Sequence, residues 1–471
     1  MKFSHFLLYL LNFSISVAFS QKINNNDFHE NYRKVIEIPN DHFFIIETIY
    51  DENFEIYYGK CFIINDQGNL VNQYIHYNEG ENVSLQTAFF LNEKIYLFGL
   101  LTSEENFYII EIVLNQNLGI IETKKYSLQE NSRIGYLNTI IDSDSNFIHT
   151  GYFRDNFNMF LFKNSMNGDS LDTKIFTIPF QFAYQLHESY DHSKFYLMLD
   201  GYISNMAYGG ILELNKQFIP QNFNYIPYHV NKVSSSIYLN DSLFIVSGLI
   251  YENFNKLYIV KTNCTGILLE SDTFFKDNNL QEFPAFSPGI SLYNNNLYIG
   301  ATSNMDYTNP NLSSNDSWFH LIKMDENLNV FWEKWYGGDA YYSLNSVLAT
   351  SDGGCLMVGT KYPHGIGNQF LQGHYVKVDS NGNVQWTQDI EIPELSYKVY
   401  PNPTQSVFNI ENSELNIQSI ELYDISGRYL KSIQDCNKST ISIDLTPFSN
   451  GIYFAKIKST KGVRTEKVVK N

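Results

Sequence analysis

A short apolar run ending in glycine recurs along the chain at intervals of about 50 residues, a period that belongs to propellers and solenoids. The copies are Tyr96-Leu97-Phe98-Gly99, Ile148-His149-Thr150-Gly151, Met198-Leu199-Asp200-Gly201, Ile245-Val246-Ser247-Gly248, Leu297-Tyr298-Ile299-Gly300 and Leu356-Met357-Val358-Gly359. An earlier match, Phe44-Ile45-Ile46-Glu47, lacks the glycine. Turns rich in Asp, Asn and Gly keep the same step, at 66–69, 115–118, 215–217, 263–266, 325–328 and 379–383, with 167–169 the weakest. Inside one period, residues 84–126 divide into four strand-length stretches rich in Ile, Phe and Tyr, separated by Asn-containing turns. This is the pattern of a meander of hairpins, and no stretch carries a capped helical period. Units spanning about 33–392 predict an all-β chain built on a β-propeller of seven four-stranded blades. Six or eight blades, or two smaller β-domains, are the alternatives.

Composition narrows the setting. The chain of 471 residues is 44% hydrophobic and 16% aromatic, enough to fill a core rather than remain disordered. A net charge of −18 argues against nucleic acid and anionic membranes as partners. Met1-Lys2, the apolar runs 6–11 and 15–19 and the small residues around Ala18-Phe19-Ser20 read as a secretory signal peptide over 1–20, cut between Ser20 and Gln21. Asn12, Ser14 and Ser16 interrupt this stretch, so no transmembrane segment is expected. Cys61, Cys264, Cys355 and Cys436 are scattered without a C-x-x-C pair, which allows one bridge at most a minor role.

The sixth and seventh units are the most regular. They contain Trp332-Glu333-Lys334-Trp335-Tyr336-Gly337-Gly338, Ser351-Asp352-Gly353-Gly354 and Lys377-Val378-Asp379-Ser380-Asn381-Gly382-Asn383-Val384-Gln385-Trp386. This resembles a propeller repeat common in secreted bacterial proteins; it implies a fold and names no activity. After a linker at 393–396, residues 397–471 hold 10 Lys+Arg against 7 Asp+Glu, roughly +3, which leaves roughly −21 on the remainder. This segment alternates like a small β-sandwich. Val399-Tyr400-Pro401-Asn402-Pro403, Leu422-Tyr423-Asp424-Ile425-Ser426-Gly427-Arg428, the stretch Ile443–Tyr453 with Gly451 and Tyr453, and the tail around Lys467 resemble the type A C-terminal sorting domain of the type IX secretion system of Bacteroidota. The resemblance implies export across the outer membrane through that machinery, then release or attachment at the cell surface. Pro401-Asn402-Pro403 is expected to fix an extended lead-in to the first strand, and Asp424–Gly427 a tight turn.

Motifs for chemistry are scarce. Nucleophile-elbow, Walker, zincin and dinucleotide signatures are absent. Asp142-Ser143-Asp144-Ser145-Asn146 and 379–383 alternate oxygen ligands in a way that would admit Ca²⁺, but both lack a distal glutamate and coincide with repeat turns. No other cofactor or metal is expected. The connections 303–317 and 361–373 are longer than their counterparts, and in a propeller they share a face with the linker 336–342. Candidate binding residues there are Asp306, Tyr307, Asp316, Trp318, Asp339, Tyr341, Tyr342, His364 and Asn368, where aromatic faces and polar groups suit a glycan or protein ligand. A polysaccharide hydrolase or lyase using Asp306 and Asp339 as acid and base is the alternative; a purely structural surface protein is the third reading.

Overall fold

The computed structural model describes residues 28–471 apart from 52–55, 77, 79, 104–105, 129–131, 157, 178–181, 204–205, 227–229, 231, 240–242, 252–253, 286–287, 307–312, 364–370, 390–397, 412–416, 425–427, 435–437 and 460–461. Up to Asp389 the strands form seven consecutive antiparallel sheets, at 28–76, 81–126, 134–176, 182–225, 232–274, 282–337 and 340–389. In each sheet the strands pair in chain order, and the first strand packs against the next blade. The first strand of blade one, Phe28–Ile38, also packs on the first three strands of blade seven, so the seven blades close a propeller. Blade six departs from the plan only in its innermost strand, which is split into Glu282–Pro284 and Ile290–Tyr293.

The two repeated sequence signals have separate structural causes. In most blades the innermost strand carries a bulge, with Arg33, Gln86, Ser234 and Asn345 as the extra residues in blades one, two, five and seven. A bulge pushes backbone towards its partner strand. A Cβ on Gly99 would lie 2.5 Å from the Ser84 carbonyl oxygen, and one on Gly359 2.2 Å from that of Ser343. Glycine is therefore the residue that fits opposite the bulge. Blade four differs from expectation: Leu199, not Gly201, takes this register, and Gly210 on the third strand pairs with it. The turn series joins the third strand to the outermost one. The side-chain oxygen of Asn65, Asn115, Asn215, Asn263, Asp325 or Asp379 accepts the backbone N–H groups two and four residues on. Such Asx turns satisfy donors that the ladder leaves unpaired. In blade three Ser165 takes the position and its hydroxyl accepts from Asp169 N, which explains the weak match there.

Blades are cemented by apolar clusters at their interfaces; that between blades one and two holds Phe44, Ile46, Cys61, Leu85 and Leu97. Outermost strands reach to the next blade's Asx turn. Trp332 Nε1, Lys334 Nζ and Tyr336 Oη donate to the carbonyls of Ser380, Asn381 and Gly382 at 3.1, 2.7 and 2.9 Å. The alternating Trp, Lys and Tyr of that strand are thus three successive clasps on one turn. Ring closure uses the same device, because Trp386 Nε1 donates to Asp66 O at 2.6 Å and Tyr375 Oη to Gly68 O at 2.8 Å. Among the described residues no strand is exchanged between first and last blades.

The second compact unit follows residue 389. It has a three-stranded sheet, in spatial order Lys398–Tyr400, Val407–Glu411, Thr440–Asp444, and a four-stranded one. Phe408, Ile410, Ile420, Leu422, Ile443, Tyr453, Ile457 and Val468 form its core. Pro401-Asn402-Pro403 differs from the expected extended lead-in before the first strand: it follows Lys398–Tyr400 and bends between the first two strands of this unit. Asn402 bridges to the last strand, donating to Lys467 O at 2.7 Å and accepting from Val469 N at 2.9 Å. Asp424 accepts from the backbone N and the Nε of Arg428 at 3.0 and 2.9 Å, and Tyr453 Oη donates to Ser449 O. Gly451 begins the strand Gly451–Ser459, while Gly427 lies outside the described residues.

Candidate functional site

Trp318 opens the third strand of blade six and is half-buried, packed beneath Gly338, where a Cβ would fall 2.2 Å from the indole Nε1. The chain must be glycine there for the linker to cross the ring. Trp335 lies on the neighbouring strand, also half-buried. The exposed ammonium of Lys276 is 4.4 Å from the Trp318 ring centroid and 4.9 Å from that of Trp335. One cation therefore spans two indoles at the rim of blade six, a pairing that is favourable by cation–π attraction. Asp316 is exposed just before Trp318, and its carbonyl accepts from Asn304 Nδ2 at 2.7 Å. Asp339 is exposed too; it accepts from Tyr342 Oη at 2.6 Å and lies 3.7 Å from Lys361 Nζ. The Tyr342 hydroxyl, then Lys361, hold the Asp339 carboxyl below its ordinary range. Asp306 is half-buried, with Ser313 Oγ donating to Oδ2 at 2.9 Å and its own N–H donating to Tyr341 Oη at 3.1 Å.

Two candidates are corrected. Tyr341 and Tyr342 are only 1% and 3% exposed, because they stand on the innermost strand of blade seven and not in a surface linker. Tyr342 packs edge-on against Phe319 and His374, and the Tyr341 hydroxyl meets Met305 Sδ at 3.2 Å. Their rings belong to the core and offer no stacking face. Tyr307, His364, Asn368, Ser20 and Gln21 lie outside the described residues.

Trp335 and Lys276 were missed at the sequence level. Trp335 was visible in the repeat signature, where the clasping residues Trp332 and Tyr336 flank it; Lys276 had no signal, since only the fold brings the linker before blade six to these indoles. A buried network lies beneath them. His320 Nδ1 is 3.1 Å from Glu282 Oε2 and its Nε2 2.8 Å from Glu333 Oε1, with Trp335 stacked on the imidazole at 4.8 Å. Burial lowers the His320 pKa, but the hydrogen bonds to both carboxylates outweigh it and raise it to about 8. Ser303 Oγ donates to Glu282 and accepts from Trp335 Nε1.

The calcium candidates are occupied by their own turns. Asp142 Oδ1 accepts from Asp144 N and Asn146 N while Oδ2 pairs with Lys163 at 2.6 Å, and Asp379 caps Asn381 and Asn383. Among the described residues no three His, Cys, Asp or Glu side chains converge on a metal-sized site. Cys61, Cys264 and Cys355 are buried in three different blades. Among the described residues no helix is long and apolar enough to cross a membrane.

Residues 398–471 match the family described as a secretion system C-terminal sorting domain. The chain is thus marked for type IX secretion to the cell surface or the extracellular space. No curated protein matches the chain. Among solved structures, the β-propeller domain of the Trilobed protease from Pyrococcus furiosus is similar at 10% identity and a TM-score of 0.45, over 79% of this chain and 99% of that one. Pyrococcus horikoshii acylaminoacyl peptidase gives 9% and 0.43, over 81% of this chain and 57% of that one. A mutant of Synechocystis apocarotenoid oxygenase gives 10% and 0.44, over 82% and 96%.

Proposed function

We propose that this secreted β-propeller is a non-catalytic binding or adhesion module that takes a polar ligand, a glycan above all, on the rim of blade six. The observation that carries this reading is the Trp318–Lys276–Trp335 cluster, with the exposed carboxylates of Asp316 and Asp339 nearby. With His320 stacked on Trp335 and Lys276 over both rings, the half-buried indoles offer their apolar edges to a sugar's C–H groups, and Lys276 and the surrounding carboxylates supply hydrogen bonds to its hydroxyls. The hydrolase alternative is less well supported. A general acid needs a raised carboxyl pKa, whereas Asp339 is lowered by Tyr342 and Lys361.

Delivery completes the reading: residues 1–20 take the chain to the periplasm, cleavage follows Ser20, and the C-terminal domain hands it to the type IX machinery of a Bacteroidota cell. A glycan array probed with the purified protein, followed by calorimetric titration of the hits, tests the binding part. Saturable binding that weakens ~10-fold or more in Trp335→Ala and Lys276→Ala, with no change in the sugar, is the expected result; loss of one aromatic contact of this kind is worth about 1–3 kcal/mol. Release of reducing ends from any hit overturns the non-catalytic reading.

A further inference from the structure

Beneath the rim of blade six, one buried carboxylate is tied to both of its arms. Glu282 has no exposed surface and opens the short innermost segment Glu282–Pro284. Its Oε1 accepts from the backbone N–H of Lys276 at 3.0 Å and from Ser303 Oγ at 2.6 Å, and the same Ser303 oxygen accepts from Trp335 Nε1 at 3.0 Å. The lysine and the indole that meet at the rim are therefore held from below through one oxygen atom. Oε2 of the same carboxylate faces His320 Nδ1 at 3.1 Å. Glu282 lies opposite Ser303 in the ladder, and His320 opposite Trp335, so strand register sets these contacts.

His320 closes the network. Its buried ring stacks on Trp335, with centroids 4.8 Å and planes 21° apart. Charged groups face it from three elements: Glu282 on the innermost strand, Glu333 on the outermost, and Lys276, in the linker from blade five, over the indole that stacks on it. A protonated imidazole donates from both nitrogens, to Glu282 and Glu333 at once. A neutral one has a single N–H and sets its other lone pair against a carboxylate. Glu282 is held by its other donors, whereas 28% of the Glu333 side chain is exposed, so it is free to turn to water. Loss of the proton therefore opens the bond to the outermost strand two residues from Trp335, and it removes positive charge from the face of that indole. Burial lowers the His320 pKa, but the hydrogen bonds to the carboxylates raise it to about 8, which places this change in mildly alkaline surroundings.

We propose that Glu282 is the positioning residue of the blade-six rim, and that the charge on His320 is the switch that keeps Trp335 and Lys276 in their binding arrangement. The rim then grips its ligand in neutral or acidic surroundings and releases it in alkaline ones. This regulation of binding rests on the reading of the rim as a ligand site; the coupling of His320 to Trp335 does not.

Tryptophan emission of the purified protein, followed from pH 6 to pH 9, tests the coupling without a ligand, because a protonated imidazole stacked on an indole quenches it. A rise with its midpoint near pH 8 is expected, and it should vanish in Trp335→Phe, which keeps the other three tryptophans. Glu282→Gln and Glu333→Gln should each lower the midpoint by about one unit or more. Should Glu282→Gln fail to fold, Glu333→Gln, at the half-buried partner, still decides the matter. Acrylamide should quench the Trp335 emission more steeply at pH 9 than at pH 7. A glycan array read at both values tests the regulation: hits lost in Trp335→Ala should weaken ~10-fold at pH 9, as the competent fraction falls from about nine-tenths to about one-tenth. Emission that stays flat across the range, or a midpoint that Glu333→Gln leaves in place, overturns the proposal. Hits of equal strength at both values overturn the regulation alone, and no hit at either overturns the reading of the rim while the emission titration still decides the coupling.

Discussion

His320 shows how a side chain can be buried and still charged. It has no exposed surface, lies between Glu282 and Glu333, and is flanked by Trp335; Lys276 lies above that indole. With a folded pKa near 8 against an ordinary value of 6.5, the protonated ring stabilises the fold fully below pH 6.5, and that contribution is lost as pH rises through 8. Urea unfolding of the native protein should therefore show a lower midpoint at pH 9 than at pH 6. His320→Gln should lose about 3–5 kcal/mol at pH 6, since it strands a buried carboxylate, and the gap to the native protein should shrink at pH 9. An equal gap at both values would mean that the ring is neutral throughout. None of this was legible in the sequence, where Glu282, His320 and Glu333 lie on three separate strands without a motif. The tyrosines show the same limit from the other side. Tyr341 and Tyr342 look like surface residues beside Gly337-Gly338-Asp339, and only the start of the next innermost strand, set by its pairing with 355–363, buries them.

Elements were far more legible than side-chain networks. The glycine and Asx series gave the strand order of each blade because both are local: one answers a bulge, the other caps a turn. The clasps between blades are not local, and the Trp, Lys and Tyr of blade six are explained only by carbonyls more than forty residues away. Ring closure is where this matters most. Among the described residues no blade shares a strand with its neighbour, but blades seven and one also lack the chain linker that joins every other adjacent pair, so Trp386, Tyr375 and the bonds of Ser351 to Glu37 hold the seam without it. Trp386→Ala should cost about 2 kcal/mol and, by hydrogen exchange, should loosen blades one and seven before blades three to five. Gly68→Ala should act in the same place, since its φ is +79° and a Cβ would stand 2.9 Å from the Trp386 ring. Uniform loosening of all seven blades would contradict a weak seam.

At the scale of the whole molecule the acidic charge and the export signal belong to different parts. The propeller side carries roughly −21 and the terminal 75 residues roughly +3, and each has a hydrophobic core of its own. Charge, motif and strand pattern all change within a few residues of 397 in the sequence, and the sorting-domain match begins at 398. Two cores that do not share residues should melt as two transitions. At ~0.7 kcal/mol per residue, calorimetry should resolve a small transition of about 50 kcal/mol beside a propeller transition several times larger. Removing residues 398–471 should abolish the small one and shift the propeller midpoint by no more than about 2 °C. The same truncation, made in the secreting cell, should leave a folded propeller in the periplasm with none at the surface, because the address is gone while the cargo is intact. Surface display of the truncated chain would show that the propeller carries an export signal of its own, and a shifted propeller transition would show that the second unit helps to hold the ring.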